Sequence, residues 1–214
     1  MKLLKNSLVT LNLLLFTIVI FIFCSTCVAQ NTESEKKVDF NYLQFRDSEI
    51  ISTHAIKYAL QIPSGFSKIP PLNHKPTFNN HPFNVSVAAL MKEKHLIIVH
   101  AEKVTDNSNF LDYSYMEPVK LNGLNFFMKE NCLVLNKKIF KEAADIRYIK
   151  KNGFDFGVAI YLKQFFVNSP DKNYEYVLSY GERVCDCSEK TINDDFLKKF
   201  NKTLENNFIL TQLK

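Results

Sequence analysis

The sequence predicts an α+β domain: an antiparallel sheet of about five or six strands packed with helices, the last of them amphipathic and C-terminal. Three observations lead there. From Phe156 to Val184 the chain alternates as the two arms of a long hairpin. Val158, Ile160 and Leu162 oppose Ala159, Tyr161 and Lys163; Tyr174, Tyr176, Leu178 and Tyr180 oppose Glu175, Val177 and Ser179. Period-two spacing is the strand pattern, and Asn168-Ser169-Pro170-Asp171-Lys172-Asn173 between the arms is turn chemistry. Second, Phe196, Phe200, Thr203, Leu204 and Phe208 share one helical face, with Lys198, Lys199, Lys202 and Glu205 largely off it. Third, nineteen Phe and nine Tyr supply an aromatic core without Trp.

Taken in order, the chain starts with Lys2 and Lys5 ahead of an apolar run from Leu8 to Phe23, the form of an export signal. Cys27-Val28-Ala29 offers small residues for cleavage before Gln30, so residues 1–29 read as a signal peptide. A retained anchor through residues 8–23 ranks second, and lipidation at Cys24 or Cys27 third. Residues 30–37 are a polar tether, and 38–214 a single domain large enough to bury a core. The signal holds two of the 27 basic residues and none of the 22 acids, which leaves a mature balance of 25 against 22. That charge is too mild to argue for nucleic acid.

Residues 38–55 read as a short helix or strand, and Ile56 to Ile62 as a strand ended by Pro63-Ser64-Gly65. Residues 67–83, with Pro70, Pro71, Pro76 and Pro82, read as a long irregular loop, and Val85 to Met91 as a short helix. His95 to Val104 is a buried strand. Asn122-Gly123 between apolar runs is a hairpin turn, since both residues accept positive φ. Leu133-Val134-Leu135 extends the sheet. Ile139, Ala143, Ile146 and Ile149 space as one helix capped by Asn152-Gly153, a reading preferred to a hairpin turn at Asn152-Gly153, and Thr191 is placed to cap the last helix. Gly181 falls where a bulge is expected.

The order of Pro63-Ser64-Gly65-Phe66 after a strand, the pair around Leu121-Asn122-Gly123-Leu124, then helix, long hairpin and closing helix resembles the PsbP/Mog1-like fold. The resemblance implies a sheet between helices and an accessory, binding or assembly role. It carries over no functional residues.

Candidate chemistry is sparse. There is no Gly-x-Ser-x-Gly, no phosphate-binding glycine loop, and Asp194-Asp195 is placed for helix capping. The five histidines, His54, His74, His81, His95 and His100, match no closed zinc spacing, and ordinary polar histidines are the favoured reading over a metal site. His100 and Glu102 leave one face of a strand together. Cys132, Cys185 and Cys187 survive cleavage; a disulfide from Cys132 to one of the pair is expected, ahead of a vicinal redox pair or a metal site.

The expected role is therefore an exported, periplasmic or extracellular, non-catalytic accessory or binding protein of the cell envelope without a cofactor. Its partner would be an envelope protein or small ligand, with membrane contact only through a retained N-terminus. The alternative is a metal or thiol-redox protein using His100/Glu102 or Cys185/Cys187. The candidate binding residues are Phe66, just before the 67–83 loop, and His74, Phe78, His81 and Phe83 on it, because recognition is commonly carried on loops.

Overall fold

The computed structural model describes residues 38–214, and the signal, cleavage and tether expectations lie outside the described residues. The chain first forms β1 (Leu43–Arg46), β2 (Glu49–Ser52) and β3 (Tyr58–Gln61), then β4 (Ser67–His74), β5 (Thr77–Phe78), β6 (His81–Lys92) and β7 (His95–Val104). There follow β8 (Glu117–Leu121), β9 (Leu124–Val134), α1 (Lys137–Glu142), α2 (Ala144–Lys151), β10 (Ala159–Asn168), β11 (Tyr174–Val184), α3 (Asp194–Asn207) and β12 (Leu210–Gln212).

The described chain is thus mostly β, which corrects the α+β expectation of five or six strands. Twelve antiparallel strands form two sheets, β1-β2-β3-β12 and β4-β6-β7-β11-β10-β9-β8 with β5 paired to β6. Only three short helices accompany them among the described residues.

The missed strands have physical reasons. Residues 67–83 are not an irregular loop. β4 is an edge strand, where proline costs no ladder bond on its free side, and the register shift between Ile69 and Leu72 absorbs Pro70-Pro71. Val85 to Met91 is a strand, not a helix. It is buried on both faces, and a continuous apolar run has no period to separate the two readings. Residues 43–52 form a hairpin around Asp47, which adopts φ 50°. Gly181 sits in regular register with Leu162 and Leu96, so there is no bulge at this position.

The predicted single helix from Ile139 is two helices, broken at Ala143 (φ −88°, ψ 104°). Alanine would favour continuation, so the break is tertiary in origin. It lets Ile146 and Ile149 enter the core beneath the pair. α3 is capped by Asn193, whose side chain accepts from the Phe196 N–H, rather than by Thr191.

The large sheet separates two cores. On one face Leu43, Ile50 and Leu60 of the small sheet and Phe200 and Leu204 of α3 meet Ile97, Val99, Tyr161 and Tyr180. On the other, Ile146, Ile149, Phe154 and Phe156 meet Val87, Ile98, Ile160 and Leu162. The hairpin alternation read from sequence is what feeds both cores. Each core is built from residues within Val38–Lys214, one compact unit. Cys132 of β9 is bonded to Cys187 just past β11, as expected, and Cys185 is free and exposed. No described helix is long and apolar enough to cross a membrane.

Candidate functional site

The face of the large sheet covered by α1 and α2 carries polar residues where strand alternation would put a core. Register aligns His74 of β4 with Val85 of β6, Val85 with Glu102 of β7, Glu102 with Glu175 of β11, and Glu175 with Asn168 of β10. The neighbouring row includes Val87, His100 and Val177. Glu102 and Glu175 are both buried, side by side across the strand pair.

Two carboxylates so placed cannot both shed their protons cheaply. Burial, and then the charge of Glu102, hold the Glu175 carboxyl well above its usual range. The Tyr113 hydroxyl donates to Glu175 Oε2, and burial together with that neighbouring carboxyl keeps the phenol protonated. His100 faces two carboxylates. Nδ1 lies 3.2 Å from Glu102 Oε1, and Nε2 lies 3.6 Å from Asp145 Oδ2 at the start of α2. Burial disfavours the imidazolium, but the hydrogen bond and charge of Glu102 and the charge of Asp145 outweigh it, and the net pKa is raised. The Nε2 atom is buried and, at that separation from Asp145, has no hydrogen-bond partner.

A cavity of about 270 Å³ opens over these groups. Its floor is Val85, Val87, His100 and Glu102; one wall is His74, Pro76 and Phe78 at the β4–β5 turn, and the other is Glu142 to Asp145 where α1 meets α2. The break at Ala143 therefore makes the wall and turns Asp145 toward His100.

Of the residues singled out in the sequence, His74 and Phe78 line this cavity with His100 and Glu102. The two separate sequence hypotheses meet at one place. Phe83 is buried beneath Phe78, with ring centroids 5.2 Å apart, and is a core residue. His81 pairs with Asp106 at 2.8 Å and stacks on Phe110. Phe66 lies apart: it follows Gly65 at the other end of β4 and packs on the opposite core under Lys92. His54 and His95 are structural. His54 Nε2 donates to the Glu175 carbonyl, and His95 bonds Tyr180.

Among the described residues no three His, Cys, Asp or Glu side chains converge as a metal group would require. The reason is visible at His100, which stands between its two carboxylates and presents one ring nitrogen to each. Cys185 lies near Asp186 and Thr191, and its former candidate partner Cys187 is committed to Cys132.

Sequence reasoning missed Asp145, Glu175 and Tyr113. Glu175 had a signal, an acid on the inward side of a strand that is apolar on both faces. Asp145 and Tyr113 had none, because helix-break and loop placement set their positions.

No family model matches the chain, and neither do curated proteins or solved structures.

Proposed function

We propose that this is an exported, non-catalytic binding protein of the cell envelope, and that its ligand enters the cavity between the β4–β5 turn and the break between α1 and α2. The observation that carries the reading is the cavity itself, with His100 and Glu102 on its floor and Asp145, 3.6 Å from His100 Nε2, in its wall. The volume, about 270 Å³, falls just below the usual range for ligand pockets, roughly 300–1,000 Å³, so the occupant is a small molecule or one side chain of an envelope partner. An apolar rim with a few fixed polar groups is the usual form of such a site. Export rests on the basic head, apolar run and small residues before Gln30.

The test is a fragment library screened by amide chemical-shift mapping on residues 30–214, wild type against Ala144→Trp, which fills the cavity from its helical wall. Hits should cluster on Phe78, Val87, His100 and Asp145 and vanish in the variant. Hits that map elsewhere, or persist in a folded Ala144→Trp, would overturn the assignment.

A further inference from the structure

The helix pair carries a charge the rest of the domain lacks. Between Lys137 and Lys151, six residues are basic (Lys137, Lys138, Lys141, Arg147, Lys150, Lys151) and two acidic. The remainder of the chain from Gln30 then holds nineteen basic against twenty acidic residues, so the whole positive balance lies on this one element. All six cations are exposed, and among the described residues none takes part in an ion pair.

The arrangement is built rather than scattered. Arg147 Nη1 donates to the carbonyls of Phe140 and Lys141, which fastens the end of α1 to α2. Lys150 lies over the Phe140 ring with its Nζ 4.1 Å from the centroid. Lys137, Phe140, Lys141, Arg147, Lys150 and Lys151 together line a shallow depression with an apolar floor.

We infer that this basic platform is a docking face for an anionic phospholipid bilayer. Its shape is shallow and broad, suited to a plane of headgroups. Single-stranded nucleic acid is gripped by stacking on several aromatic rings, and here the single ring, Phe140, is covered by Lys150. Duplex recognition inserts a helix into a groove, whereas α1 and α2 are short and lie packed on the core. Clustered lysines and arginines strengthen binding to any leaflet that carries anionic lipid. The choice of a bilayer over other polyanions rests on the export proposed above; the charge asymmetry does not.

The experiment is co-sedimentation of residues 30–214 with vesicles of neutral phosphatidylcholine and with vesicles containing phosphatidylglycerol. Two variants carry equal charge changes: Lys137→Glu/Lys141→Glu/Lys151→Glu on the platform, and Lys198→Glu/Lys199→Glu/Lys202→Glu on α3. Thermal melts first establish that both variants are folded. Binding should require phosphatidylglycerol, weaken with salt, and fall about tenfold or more in the platform variant only. Equal losses in both variants, equal binding to neutral vesicles, or tighter binding to an oligonucleotide or polyglutamate than to anionic vesicles would overturn the inference. Intact mass of the protein from its own cells reports export separately, so failure of one reading is not mistaken for failure of the other.

Discussion

At the residue scale, the protonation of Glu175 is tied to folding. Its pKa is raised in the folded state by burial and by Glu102. Between the unfolded and folded values the native state holds the extra proton, so this contribution is full below the ordinary glutamate range and is lost as pH rises through the folded value. His100, also raised, has the same sign. His54 and His74 are lowered by burial, so their contribution is lost in the other direction, as pH falls below the ordinary histidine range. Glu175→Gln keeps a neutral group that can accept from Tyr113 and donate to Glu102. Its melting temperature should therefore decline less than that of wild type as pH rises above the ordinary glutamate range; parallel declines would contradict the assignment. Gly181 is a second sensitive residue, for steric reasons. A Cβ there would lie 2.7 Å from Leu162 Cδ2 and 2.8 Å from Ile160 Cδ1. Gly181→Ala should cost about 1–3 kcal/mol in urea unfolding, the usual price of overpacking.

At the element scale, the disulfide ties the end of β11 to β9, across a sequence separation of 55 residues. Replacing Cys132 and Cys187 together by serine should lower unfolding free energy by about 2–4 kcal/mol in a denaturant titration. An unchanged midpoint would mean that the bond is redundant with the β9–β10–β11 ladders. Elements with a clean period were legible in the sequence: the β10–β11 hairpin, the Asn122-Gly123 turn and α3 all lie where alternation, turn chemistry and a helical stripe put them. The elements that were misread lacked such a period. β6 is apolar on both faces, β4 hides its edge position behind prolines, and the α1–α2 break falls between two alanines. Local propensity carries no record of which face the tertiary contacts will select.

At the scale of the molecule, one sheet serves two cores, and the cavity lies where the second core gives way to polar residues. His100 and Glu102 were legible as a pair because two-residue spacing on a strand puts them on one face. Their union with His74, Phe78 and Asp145 was not, since it depends on strand order and on the helix break. The most direct measurement of the central claim is the small-molecule content of the protein isolated from its own cells, read by mass spectrometry after denaturing extraction. Wild type and Ala144→Trp would be compared at equal protein. The account predicts a compound enriched in wild type and depleted in a folded variant. A compound retained equally by both, or none associated with either, would contradict it.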